Sequence, residues 1–118
     1  GLHLRALLHI TADGLFNLLR VARRDIGYRI TALPEPPPLF RLIRELGPVD
    51  DAEMYRVFNM GVGFCVVVPP EEARAVIATA AAHGIEAWQL GEVVHDPQRR
   101  VWLEPKGLVG QSGSFVAA

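Results

Sequence analysis

Two rhythms of apolar residues alternate along the chain, one with a strand's period and one with a helix's. Residues 4–10 (Leu4-Arg5-Ala6-Leu7-Leu8-His9-Ile10) are mostly apolar, are bounded by turn formers and predict a strand. The turn Thr11-Ala12-Asp13-Gly14 leads into a helix over 15–23, with Leu15, Leu18, Leu19 and Ala22 on one face. Gly27 closes that helix, and the alternation from Tyr28 to Leu33 predicts a second strand. The proline cluster at 34–38 makes a rigid turn into a short helix. There Leu39, Leu42, Ile43 and Leu46 mark the inner face, and Gly47-Pro48 ends the element.

Asp50 stands three residues before Glu53, a carboxylate form of the capping box that starts a helix ending near Phe58. The stretch 61–68 is almost wholly apolar, which predicts a central strand covered on both faces. Pro69-Pro70-Glu71-Glu72 opens a further helix with acidic side chains against its dipole. Its inner stripe is Ala73, Val76, Ile77 and Ala80, and His83-Gly84 stops it. Strands over 86–95 and 100–104 follow, joined through Asp96-Pro97 as a hairpin. From Lys106 the chain becomes a Gly/Ser-rich tail, mobile unless docked. Strands segregating into one mixed sheet under packed helices make an α+β domain over residues 1–105, with 106–118 as the tail.

Composition narrows the function classes. At 118 residues the chain is one domain with a core of its own, and 50% apolar against 21% charged residues predicts a folded protein. A net charge of −1 gives no reason to expect nucleic acid or an anionic membrane as partner. No apolar run approaches the roughly 20 residues of a bilayer span, and no secretory leader opens the chain. The single Cys65 excludes an internal disulfide and a multi-cysteine zinc site, and its apolar strand makes it buried and inert. The expected compartment is the cytoplasm. Beginning at Gly1 without an initiator methionine, the chain reads as a fragment or a separately expressed domain.

The candidate chemistry sits at two places. Between Met54 and Phe64 the chain reads as a helix end, a polar corner and two glycines, Gly61 and Gly63, that permit close backbone approach. Arg56 and Asn59, three apart, reach one side of that corner. The arginine suits a phosphate or carboxylate held bidentately; a surface salt bridge for Arg56 and a helix cap for Asn59 are the ligand-free readings. The glycines do not form a dinucleotide fingerprint, because they open a strand and the third glycine is absent. The loop from His9 to Leu15 lies between a strand and a helix start, where free N–H groups favour an anion. Capping by Thr11 or Asp13 explains the same residues without a ligand, and the Asp13 carboxylate competes with a bound phosphate. His9 is either a general acid–base or a hydrogen-bonded structural histidine. The run 106–113 lacks the Gly-Lys-Ser/Thr order of a phosphate loop, and Glu92 beside Gly91 reads as surface. No His or Cys pair has metal-ligand spacing.

His9-Ile10-Thr11 followed by Gly14-Leu15, the block Met54 to Gly63, and Leu90-Gly91-Glu92-Val93 occur in this order. Over Leu4 to about Glu104 the chain resembles the C-terminal domain of the aminoimidazole ribonucleotide synthetase family, the phosphoribosylformylglycinamidine cyclo-ligases. The resemblance implies a two-domain, homodimeric enzyme of purine biosynthesis that uses ATP and magnesium, both bound mainly by an N-terminal domain preceding Gly1. Its reaction closes formylglycinamidine ribonucleotide into aminoimidazole ribonucleotide. It also implies a three-layer α/β/α fold with a mixed, mainly antiparallel sheet and partial ferredoxin-like topology. By the same resemblance His9 is catalytic, while Thr11, Asp13, Gly14, Arg56, Asn59, Gly61 and Gly63 face the ribonucleotide substrate, with no metal ligand among them. The departure at Ala12-Asp13, where the family carries glycines, leaves open a carboxylate that meets magnesium or a sugar hydroxyl, or a paralogue with another substrate. This domain alone is expected to be inactive. Competing readings are a thiamine-monophosphate kinase or selenophosphate synthetase relative, and a non-catalytic ligand-binding or oligomerisation module. An exposed apolar face favours a missing partner domain; a sealed polar surface favours the module.

Overall fold

The computed structural model describes residues 4–11, 13–21, 24–47 and 49–118. Gly1, Ala12, Ala22, Arg23 and Pro48, used above, lie outside the described residues. Strand β1 (Ala6–His9) pairs antiparallel with β3 (Phe64–Val67) as a two-stranded ribbon, Leu8 opposite Cys65. A second sheet holds β2 (Ile26–Ile30), β4 (Gly91–His95), β5 (Val101–Leu103), β6 (Leu108–Gln111) and β7 (Ser114–Ala117). Its order is β4-β2-β5-β6-β7, antiparallel throughout except for the parallel β2–β5 pair. Among the described residues three α-helices join the strands: α1 (Pro38–Leu46), α2 (Asp51–Val57) and α3 (Ala73–Ala82). The class is therefore α+β with mixed, mainly antiparallel pairing, as expected, although the strands divide into two sheets rather than one.

The core is closed by Leu15, Met54, Val101 and Leu103, each fully buried, with Tyr55 and Ile30 beside them. These residues join the segment 14–20, α2 and the β2–β5 pair into one cluster. The segment after the first turn, Gly14–Arg20, winds as a 3-10 helix rather than the α-helix its period predicts. Its opening bonds span three residues, Gly14 N–H to the Thr11 carbonyl and Phe16 N–H to the Asp13 carbonyl. Helix α2 starts where the capping pair places it, with Glu53 N–H donating to Asp50 Oδ1 at 3.0 Å.

Four other expectations are corrected. The apolar run 61–68 is not a central strand: β3 pairs only with β1 among the described residues, and the ribbon has one open face. Leu8, Cys65 and Val67 turn inward, whereas Leu7 and Phe64 are 56% and 52% exposed. A continuous apolar run cannot say whether one face or both will be covered. In α1 the period is right but the buried face is set by Phe40 and Ile43; Leu39, Leu42 and Leu46 are exposed. Phe40 leans on Phe58 at 5.6 Å between ring centroids, and that contact fixes the helix's rotation. Strand pairing at 86–90 is absent, β4 beginning at Gly91. Nor do β4 and β5 form a hairpin, because β2 lies between them.

The Asp96–Arg100 loop explains that insertion. The buried Asp96 carboxylate accepts from the backbone N–H groups of Gln98 and Arg100 and from the Arg100 guanidinium, at 2.8–3.2 Å. Asp96 N–H donates to the Asp25 carbonyl and Tyr28 N–H to the Arg100 carbonyl, so the loop straddles the start of β2. Gly27 sits beneath it, where a Cβ would lie 2.5 Å from the Arg100 carbonyl oxygen. The tail is docked: β6 and β7 extend the sheet, Phe115 is buried, and its ring stacks on Phe16 at 4.5 Å. Among the described residues no helix is long and apolar enough to cross a membrane.

The Arg100 hydrogen bonds, against an opposing effect of burial, hold the Asp96 carboxyl below its usual value of 3.8. A carboxyl whose folded pKa is depressed stabilises the fold above its unfolded value and loses that contribution as pH falls through the folded one. Asp96→Ala should therefore cost about 2–3 kcal/mol near neutrality, since it strands buried donors. Urea melts should show the gap between parent and variant shrinking below about pH 4.

Candidate functional site

The corner after α2 is made by backbone that few residues adopt. Met60 has φ +52° and Gly61 φ +95°. Asn59 Oδ1 accepts from Gly61 N–H at 3.0 Å, and the Asn59 carbonyl accepts from Val62 N–H at 3.0 Å, so this asparagine holds the turn. A Cβ on Gly61 would lie 3.0 Å from Pro37 Cδ, which shows the proline cluster propping the corner from outside. Gly63 faces open space, and its carbonyl accepts from Ile10 N–H at 3.0 Å. That bond ties the corner to the end of β1.

The second segment is pressed against the first at Gly14. Its φ is +56°, and a Cβ there would lie 2.5 Å from the Tyr55 carbonyl oxygen and 2.6 Å from that of Phe58. The loop thus rests on the terminal carbonyls of α2, at a distance no side chain allows. Thr11 N–H donates to Asn17 Oδ1 at 2.6 Å, with the Thr11 hydroxyl 3.4 Å from the same oxygen. Asp13 caps nothing with its side chain; it lies 3.9 Å from Arg20 Nη2 at the surface.

An open depression of about 550 Å³ lies beside this junction, bordered by Asp13, Asn17, Arg20, Arg56 and Arg99 together with the β6–β7 turn at Ser112-Gly113. Asp13 and Arg56, drawn from the two expected segments, meet there. Gly14 sets the approach beneath. His9, Thr11, Asn59, Gly61 and Gly63 do not border it. His9 is exposed on the outward face of the ribbon, edge-on to Phe64 at 5.3 Å. Arg56 forks onto Glu53, which raises the guanidinium's pKa, with a smaller contribution from Asp13, and holds the Glu53 carboxyl low. Its surface ion pair therefore exists, and the same side chain borders the depression.

Asn17, Arg20 and Arg99 are residues that sequence reasoning missed. Asn17 is 1% exposed, and a lone amide inside an apolar stripe was the available signal. Arg99 carried no signal, because its position depends on the loop that straddles β2. Glu92 is exposed and pairs with Arg29, as does Glu104. Burial pushes the Tyr28 hydroxyl up to about 12 and the Cys65 thiol up to about 11, so neither exchanges protons near neutrality. Among the described residues no group of three or more His, Cys, Asp or Glu side chains is placed to hold a metal ion.

With this geometry in view, residues 2–104 match the family model of the AIR synthase related protein, C-terminal domain. The chain is 52% identical over 87 residues to a phosphoribosylformylglycinamidine cyclo-ligase of Methanothermobacter thermautotrophicus, covering 74% of this chain and 24% of that protein. The same enzyme name belongs to a Methanocaldococcus jannaschii protein, 45% identical over 93 residues, covering 79% of this chain and 26% of the relative. A Methanopyrus kandleri cyclo-ligase is 47% identical over 89 residues, covering 75% and 25% respectively. The chain spans about a quarter of the length of these relatives.

Gly14→Ala should destabilise the fold by about 2 kcal/mol or more, from left-handed backbone combined with an overpacked Cβ, as chemical denaturation would measure. Cys65 should react with a disulfide reagent more slowly than an exposed thiol at the same pH, because burial raises its pKa and lowers its thiolate fraction. Full reactivity should return in urea.

Proposed function

The chain belongs to the AIR synthase related family, carrying its C-terminal domain, and from that premise we propose that it walls the substrate cleft of an ATP-dependent phosphoribosylformylglycinamidine cyclo-ligase. The observation that carries this reading is the seat of Gly14 on the Tyr55 and Phe58 carbonyls, which brings the histidine-led loop against the Arg56–Gly63 corner. In this reading the full enzyme closes formylglycinamidine ribonucleotide to aminoimidazole ribonucleotide, with an amide oxygen activated by phosphorylation and then displaced by a nearby nitrogen. Such chemistry depends mainly on positioning and charge stabilisation. Arg56 supplies fixed positive charge, Asp13 a carboxylate for a sugar hydroxyl or magnesium, and Thr11, Asn59, Gly61 and Gly63 the shape of the wall. His9 donates a proton from the ribbon's outward face. ATP would supply the phosphoryl group and, with magnesium, would be held chiefly by an N-terminal domain.

The apolar face around His9 supports a partner domain. Leu7 and Val66 sit opposite each other on it, as do His9 and Phe64, and all four are exposed. A stand-alone module would be expected to seal such a face with polar side chains. In the reading, the enzyme's own N-terminal domain covers it, and the homodimer and cytoplasmic location follow the family. The relatives' shared name favours the cyclo-ligase over a kinase or selenophosphate synthetase paralogue.

The test is product chromatography with ATP and formylglycinamidine ribonucleotide, using this 118-residue chain and the full-length enzyme that contains it. Aminoimidazole ribonucleotide should form with the full-length enzyme only. His9→Ala in that enzyme should lower kcat about 100-fold or more, the range for a lost acid–base group. Turnover by the chain alone, or phosphorylation of thiamine monophosphate or selenide in place of cyclisation, would overturn the reading.

A further inference from the structure

Arg20, Arg56 and Arg99 border the depression with one carboxylate, Asp13, and Arg56 is itself forked onto Glu53, in a chain whose net charge is −1. Arg99 is the most telling of them. It holds left-handed backbone at φ +56°, an arrangement that costs a non-glycine residue about 1–3 kcal/mol. A loop with only a structural task would favour glycine there. One end of its guanidinium is tethered, Nη2 donating to the Leu19 carbonyl, while its buried Nε finds no acceptor among the described residues. The side chain is thus held in place with its Nε donor unfilled. Arg20 is exposed and engages Asp13 only at 3.9 Å, so it is free to swing inward. The nearly buried Asn17 lies on the floor, and the Ser112-Gly113 turn of the docked tail closes one side.

We propose that this depression is a phosphomonoester-binding site, with Arg99 as its anchor and Arg20 as a second cation. A planar guanidinium fork suits the phosphate oxygens better than a point charge does. Asp13 opposes the bound anion and sets a modest affinity. Identification of the ligand as the ribonucleotide's 5′-phosphate rests on the cyclo-ligase reading; the anion site itself does not.

Phosphorus NMR and calorimetric titration of the 118-residue chain test the proposal with inorganic phosphate, ribose 5-phosphate, ADP and, as neutral control, ribose. Phosphate and ribose 5-phosphate should bind in a salt-sensitive manner, ribose should not, and ADP should bind no better than ribose 5-phosphate. Arg99→Gln should weaken binding about tenfold or more, with Arg99→Lys intermediate. Arg20→Gln at the exposed position should weaken it severalfold with an unchanged thermal melt, which decides the matter if loss of the Leu19 tether unfolds the Arg99 variant. Asp13→Asn should tighten binding, a change of opposite sign that general damage would not produce. Absence of phosphate binding at millimolar concentration, indifference to both arginine changes, or a clear preference for ADP would overturn the site. Phosphate binding that follows these variants while the full-length enzyme fails to cyclise would retire the cyclo-ligase reading and leave the site standing.

Discussion

The contact on which the most depends is the absence of a side chain at Gly14. A helix ends with carbonyls that lack intrahelical partners, and α2 ends with those of Tyr55 and Phe58 facing the first loop. Only a residue without Cβ comes so close to them. Because Gly14 does, the 3-10 segment lies on the end of α2, Leu15 enters the same core as Met54, and Asn17 is buried where it can take the Thr11 N–H. The Ile10–Gly63 hydrogen bond fastens the other side of the junction. The proposed substrate wall and the arginine-lined depression both border this one join.

A second constraint acts at a distance. The Asp96 carboxylate gathers its loop tightly enough for the chain to cross the start of β2, so β4 and β5 flank that strand rather than each other. The crossing places Arg99 toward the 3-10 segment, where it reaches the Leu19 carbonyl. The sheet then grows outward through β6 and β7, and Phe115 folds back onto Phe16. Gly110 is required beneath those two rings, since a Cβ there would lie 2.6 Å from each. Residues beyond the family-matched region thereby contribute the turn that closes the depression.

The ribbon and α1 leave apolar side chains facing outward: Leu7, Phe64 and Val66 on one, Leu39, Leu42 and Leu46 on the other. Isolated exposed apolar residues are ordinary, but a paired row on one sheet face is not. The row includes His9, which links the proposed domain contact to the proposed chemistry. Strand β3 is apolar at every position, and the outward half of that pattern, Phe64 and Val66, stays exposed in this chain.

Features legible in the residue order were those governed by short-range physics. The Asp50–Glu53 cap, the span of α2, the breaks at the proline cluster and at Gly84, and the need for close approach at Gly61 each follow from hydrogen bonds or backbone sterics within a few positions. The family resemblance was legible too, because its motifs are contiguous. Long-range packing decided the rest. Periodicity placed a helix over the residues of α1 but not its rotation, which the Phe40–Phe58 contact sets. A turn at Asp96 was evident, yet whether its flanking strands pair or admit a third depends on bonds to Asp25 and Tyr28, about 70 residues earlier in the chain. Arg99 and Arg56 border one depression for the same reason: side chains far apart in sequence meet only through packing, and packing energy belongs to the whole arrangement rather than to any local run of residues.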